Sequence, residues 1–156
     1  MSPRQHWLVK SEPEEFSFDD LLASPNKTTH WEGVRNYAAR IHLRAMKVGD
    51  PVLFYHSNAS PPAVVGVAEV VRDAYPDHTA FDPKDPHHDP KSRPAEPTWF
   101  MVDLRAVERL ARPVSLDELK KQKGLETMAL LRIGRLSVQP VTAREYGIIR
   151  KLADRS

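Results

Sequence analysis

A chain of 156 residues is long enough for a core of its own, because a domain of this size buries roughly 70% of its unfolded surface and needs no covalent staples. The absence of cysteine excludes disulfides, thiolate metal sites and cysteine nucleophiles. At 40% hydrophobic residues and a mean hydropathy of −0.52, no apolar run approaches the about 18 residues that a membrane span takes.

The chain opens Met1-Ser2-Pro3-Arg4-Gln5-His6, which lacks the apolar core of a secretory signal. The expected compartment is therefore cytoplasmic, or nuclear in a eukaryote. His6-Trp7-Leu8-Val9-Lys10 has the pattern of a first strand, ended by Pro13, which cannot continue a ladder. Ser17 and Asp20 have capping-box spacing and predict a short helix over residues 17–22, closed by Pro25-Asn26. Residues 35–47 form the clearest amphipathic helix. On a 3.6-residue wheel Tyr37, Ala38, Ile41, Ala45 and Val48 share an apolar face, and Asn36, Arg40, Arg44 and Lys47 a polar one. Gly49 supplies its stop.

Residues 50–56 predict a buried strand ending in Ser57-Asn58, and residues 59–62 a turn. Residues 63–71 predict the returning strand, with Gly66 as a bulge or a point of close contact. Six prolines in residues 76–97 block both helix and ladder, so this segment is expected as a long irregular loop. Residues 98–104 resume the sheet, extending toward Leu110. Ser115 caps a helix, and residues 124–131 predict a second helical piece. Residues 135–141 are extended, and Thr142 with Glu145 caps a last helix ending near Leu152. The expectation is one domain over residues 1–156, α+β around a curved or barrel-like sheet.

Charge is uneven along the chain. Residues 1–103 hold 11 Lys and Arg against 15 Asp and Glu, a balance of −4, whereas residues 104–156 hold 12 against 6, a balance of +6. Arg35, Arg40, Arg44 and Lys47 form a basic island inside the acidic part. Clustered positive charge on a near-neutral protein favours a polyanion on one face; a solvated helix face is the plain alternative.

Catalytic patterns are missing. His78, His87, His88 and Asp89 sit in the proline-rich loop without the regular spacing of metal ligands, and are expected as solvated loop residues; no metal is expected. His56 and Ser57 are adjacent on a strand, so they point to opposite faces and cannot act as base and nucleophile on each other. The glycines are isolated, so phosphate-loop and dinucleotide fingerprints are missing and no cofactor is expected. The metal loop and a small-molecule hydrolase remain the enzymatic alternatives.

Non-covalent recognition remains. Trp31-Glu32-Gly33-Val34-Arg35-Asn36-Tyr37 places flat rings, an amide and a cation at a helix start, which suits a planar polar ligand; a buried tryptophan beside a helix cap is the alternative. Lys10-Ser11, His56-Ser57-Asn58 and Ser137-Val138-Gln139 lie at strand ends, where short polar groups supply donors and acceptors. Converging on Trp31, they would make an apolar slot with a polar floor.

These residues resemble the EVE domain. The resemblance is carried by Trp7-Leu8-Val9-Lys10-Ser11-Glu12-Pro13, Trp31-Glu32-Gly33-Val34-Arg35-Asn36-Tyr37-Ala38-Ala39-Arg40, Met46-Lys47-Val48-Gly49-Asp50, Tyr55-His56-Ser57-Asn58, Val65-Gly66-Val67-Ala68-Glu69-Val70 and Arg135-Leu136-Ser137-Val138-Gln139-Pro140-Val141, in order over residues 5–153. It implies a PUA-like fold, a small mixed β-barrel flanked by short helices, as in the related YTH and ASCH domains. It further implies a non-enzymatic reader of a modified base, 5-methyl- or 5-hydroxymethylcytosine in DNA, with RNA as the alternative polymer and a monomer as the acting form. By the same resemblance Lys10, Ser11, Trp31, Asn36, Ser57 and Asn58 line a base pocket, with Trp99, Ser137 and Gln139 at or near it. Arg35, Arg40, Arg44 and Lys47 would contact phosphates.

Overall fold

The computed structural model describes residues 4–154; residues 1–3 of the N-terminal stretch read above, and residues 155–156, lie outside it. Six strands form one mixed sheet: β1 (His6–Ser11), β2 (Thr28–His30), β3 (Pro51–His56), β4 (Ala63–Pro76), β5 (Phe100–Ser115) and β6 (Val138–Val141). Their order is β2-β5-β4-β3-β1-β6. Among the described residues, only the β1–β3 pair is parallel. The helices are short: α1 (Phe18–Ala23), α2 (Tyr37–Ala45), α3 (Leu116–Lys120), α4 (Ala129–Arg132) and α5 (Ala143–Ala153). The whole is an open, barrel-like α+β fold of the expected PUA-like kind. Among the described residues, no helix is long and apolar enough to cross a membrane.

Both faces of the central strands are covered, which is why they are almost continuously apolar. Trp7 and Val9 of β1, with Val52 and Phe54 of β3, enter a core under α1 and α2. Leu8, Leu53 and Tyr55 point the other way, into a second core with Leu119, Ile149 and Leu152. Alternation along each strand therefore feeds two cores from one sheet.

Local cap signals place the starts of α1, α3 and α5 correctly, whereas α2 starts two residues and α4 five residues later than expected. Ser17 and Asp20 close a reciprocal capping box on α1, as do Thr142 and Glu145 on α5. The sequence reading misses β2, three residues too short to show a period, and stops β5 five residues early.

Gly66 is both things expected of it. The β4–β5 register shifts between Val64 and Gly66, and a Cβ on Gly66 would lie 2.4 Å from the Phe18 ring. Phe18 is fully buried and packs edge-on against Phe54 at 5.3 Å, so it has nowhere to retreat. Gly66→Ala is expected to lower unfolding free energy by about 1–3 kcal/mol, the usual cost of overpacking, read as a lower urea midpoint with unchanged slope.

The α2 expectation needs correcting. Its buried residues are Ala39 and Leu43, continued by Met46, whereas Tyr37, Ile41 and Val48 are 62%, 63% and 58% exposed. The segment carries two apolar stripes, 37/41/48 and 39/43/46, and periodicity alone does not choose between them. Small Ala39 lets the helix approach the sheet closely. Tyr37 instead lies outside, tilted against Trp99 at 5.0 Å with the Arg40 guanidinium 4.9 Å from its ring centre.

Candidate nucleic-acid interface

β1 and β3 are parallel and end side by side, with Ser11 opposite His56. The Ser57 N–H donates to Ser11 O at 3.0 Å, and the Lys10 N–H donates to Ser137 O at 2.9 Å. Three polar strand ends from distant parts of the sequence are thereby brought to one place. They form the floor of a cleft of about 840 Å³, lined among others by Lys10, Ser11, Phe16, Trp31, Ser57, Asn58 and Ser137. That volume lies within the usual range of ligand pockets.

The floor is partly committed. Lys10 Nζ donates to Gly134 O at 2.8 Å and the Ser11 hydroxyl to Phe16 O at 2.5 Å. Burial pushes the Lys10 ammonium below its ordinary pKa. Asn58 adopts φ +50, a left-handed conformation that asparagine tolerates better than most residues. Among the described residues, the side chains of Ser57, Asn58 and Ser137 make no hydrogen bond within the protein, so their donors and acceptors face the cleft uncommitted.

Trp31 is buried, and it also lines the cleft. It is only 9% exposed and packs edge-on against Phe54 at 5.5 Å and Phe16 at 6.3 Å. It is thus core and cleft wall at once. The lining carries both signs of charge: Lys10, Arg35 and Arg135 together with Glu12, Glu15 and Glu32.

Three expected pocket residues do other work. Asn36 caps α2, its Oδ1 accepting from the Ala39 N–H at 2.9 Å, and does not line the cleft. Trp99 is buried, its indole N–H donating to Asp89 Oδ2 at 2.7 Å. Gln139 is fully buried; its Nε2 donates to Leu136 O at 2.9 Å while Oε1 has no partner among the described residues. Ser137 precedes β6, whereas Gln139 lies within it, paired with Leu8 of β1, and its side chain is buried.

Among the expected phosphate contacts, Arg35 is also reassigned. It lines the cleft, but its guanidinium donates to Asp77 Oδ2 at 3.0 Å, Thr79 Oγ1 at 3.1 Å, Val34 O at 3.0 Å and twice to His87 O. These bonds use its donors to pin the proline-rich segment against residues 33–35. Arg40 donates to Thr98 O at 2.8 Å, and Arg44 lies 4.5 Å from the centre of the Phe100 ring. Arg44 and Lys47 are exposed on the α2 side.

Sequence reasoning overlooks the residue that organises this region. Asp77 is fully buried yet looks no different in sequence from exposed Asp82. Its Oδ2 accepts from the Gly33 N–H at 2.8 Å, and its Oδ1 accepts from the Thr79 N–H at 2.9 Å and hydroxyl at 2.6 Å. Burial alone would raise its pKa; the bonds from Thr79, Gly33 and Arg35 outweigh burial and hold it below the usual carboxylate value. Phe16 and Tyr55 of the cleft lining are likewise missed as site residues, Phe16 because it stands between elements with no periodic signal.

His56 offers no general base to the cleft. Its Nε2 accepts from the Phe18 N–H at 3.1 Å. Burial lowers its pKa, with Asp19 opposing and Arg109 adding to the shift. The imidazole is therefore neutral and occupied in capping the backbone at α1.

Set beside known proteins, residues 5–152 match the EVE domain. Thymocyte nuclear protein 1 of Gallus gallus is 48% identical over 166 residues, covering 96% of this chain and 69% of that protein. A crystal structure of human THYN1 in complex with DNA containing 5-methylcytosine superposes with a TM-score of 0.94 at 43% identity, covering 97% of this chain and 99% of that one. An ASCH protein from Zymomonas mobilis, at 15% identity and a TM-score of 0.55 over 96% of this chain and 99% of its own, shares the fold. The match over nearly the whole length, on strand ends and a turn already seen to converge, makes this chain a member of the EVE domain family.

Proposed function

We propose that this chain is a non-enzymatic reader of modified cytosine in DNA, and that the cleft beside Trp31 receives the base once it has left the helical stack. The observation that carries the reading is the convergence of Ser57, Asn58 and Ser137, with uncommitted polar groups, beneath an aromatic wall. A base can be read along its hydrogen-bonding edge only when it is taken out of the duplex. Asn58 supplies both a donor and an acceptor for that edge, and the two serines supply adaptable hydroxyls. The apolar surface of Trp31 and Phe16 receives the ring and its 5-substituent. No proton transfer is required for this reading. The DNA complex of human THYN1 supports the choice of polymer and of modification.

Arg44 and Lys47 are assigned to phosphate contacts outside the cleft. Arg44→Ala and Lys47→Ala are each expected to weaken binding to all duplexes alike. Each should flatten the log–log salt dependence by about 1, the signature of one lost phosphate contact. Arg35→Ala should instead lower stability, because its donors hold the protein's own backbone.

The reading is tested by titrating labelled duplexes of one sequence, with cytosine, 5-methylcytosine or 5-hydroxymethylcytosine at one position, at fixed salt. Tighter binding to a modified duplex is expected. Equal affinity for all three would reject base reading, and preference for RNA of the same sequence would move the site to RNA, where a 2′-hydroxyl contact discriminates.

A further inference from the structure

The proposed base reading assigns no part to Glu32, and a carboxylate beside a cleft proposed to take a polyanion is electrostatically misplaced. Its surroundings suggest what it does. His30 ends β2, and the Glu32 N–H donates back to His30 O at 3.0 Å. This tight turn brings both side chains together, His30 Nε2 lying 3.3 Å from Glu32 Oε2. His78 arrives from the proline-rich segment, its ring edge-on to His30 at 5.2 Å. One ligand atom from each of His30, Glu32 and His78 lies within 4.8 Å of the others.

We propose that His30, Glu32 and His78 form a binding site for a divalent transition-metal ion, zinc being the natural test ion, at the rim of the cleft. Two imidazoles and one carboxylate are a zinc donor set that leaves a fourth position open. Ligand bonds of about 2.0–2.1 Å at tetrahedral angles separate neighbouring donor atoms by about 3.3–3.4 Å, which the His30–Glu32 pair already matches. The backbones that carry the ligands are held in advance. Trp31 N–H donates to Val102 O at 2.7 Å, Gly33 N–H to Asp77 Oδ2 at 2.8 Å and Asp77 N–H to Trp99 O at 2.9 Å. The residues flanking His30, Glu32 and His78 are thereby tied to β5 and to one another, so only side-chain rotation remains to close the site. His87 is elsewhere engaged, lying over Gly33 with its Nδ1 3.2 Å from Asp85. An ion here reverses the local charge contributed by Glu32. On the reading of the cleft as a DNA site, that makes the rim attractive to phosphate.

The test is calorimetric titration of zinc into the chelator-stripped full chain without a histidine tag, which reads the metal and not DNA. One saturable ion per chain is expected. His78→Ala and Glu32→Gln should each weaken it about tenfold or more, while His87→Ala/His88→Ala leaves it unchanged. All three ligands are exposed, so the variants should keep the wild-type circular dichroism. Absence of saturable one-site binding would overturn the proposal. So would binding that survives His78→Ala and is lost in the His87/His88 variant.

Discussion

Asp77→Ala is expected to cost about 3–5 kcal/mol of unfolding free energy, as removal of one partner from a buried, hydrogen-bonded ion pair does. The carboxylate is fully buried and collects the Gly33 N–H, the Thr79 N–H and hydroxyl, and one Arg35 nitrogen. Its loss strands all of these and leaves Arg35, whose side chain is 22% exposed, without its counter-charge. Because the group's pKa is lowered in the folded chain, its contribution is fully present above the unfolded value of about 3.9. It disappears as pH falls through the folded value. Asp77→Asn mimics the protonated state at every pH. The stability gap between wild type and Asp77→Asn, measured by urea unfolding, should therefore be large at pH 7 and close progressively below about pH 4. A gap independent of pH would show that the charge on Asp77 does not hold residues 33–35 to the loop.

Trp31→Ala should produce two losses that can be separated. The first is stability: truncating a buried tryptophan costs about 3–5 kcal/mol, and Trp31 packs on Phe54 and Phe16. The second is discrimination. Base–aromatic stacking is worth about 1–3 kcal/mol, so affinity for a duplex whose modified base enters the cleft should fall about 5- to 150-fold, and unmodified DNA, bound through its phosphates with the base left in the stack, should change little. Trp31→Phe is the decisive companion. It keeps an aromatic ring in the core, and so the fold, while shrinking the wall presented to the cleft. Partial loss of discrimination in a fully folded Trp31→Phe protein is the expected outcome, measured by duplex titration beside thermal unfolding. Discrimination unchanged in both variants would remove Trp31 from the site.

The two variants also separate what was legible in the sequence from what was not. Elements marked by local chemistry are readable: Ser17 with Asp20 and Thr142 with Glu145 are interactions between near neighbours, and the observed caps match them. The polar strand ends at Lys10-Ser11, Ser57-Asn58 and Ser137 are readable as chemistry, but their meeting is a property of the parallel β1–β3 pair and the antiparallel β1–β6 pair. The buried face of α2 is not readable, since Ala39 and Leu43 compete with an equally apolar Tyr37 and Ile41, and the sheet decides. Asp77 and Arg35 are illegible for a similar reason. A charge bound for a solvated loop and a charge bound for a buried pair look alike until the partner 42 residues away is known. Gln139 shows the limit of motif reasoning, since Ser137, just before β6, lines the cleft while Gln139, within β6, is buried.

The most direct measurement is a crystal structure of this chain bound to a duplex carrying one 5-methylcytosine. The account predicts that base outside the stack, its ring against Trp31 and its edge within hydrogen-bond reach of Asn58, Ser57 or Ser137. A 5-methylcytosine still paired inside the duplex, with the cleft beside Trp31 empty of nucleic acid, would contradict it.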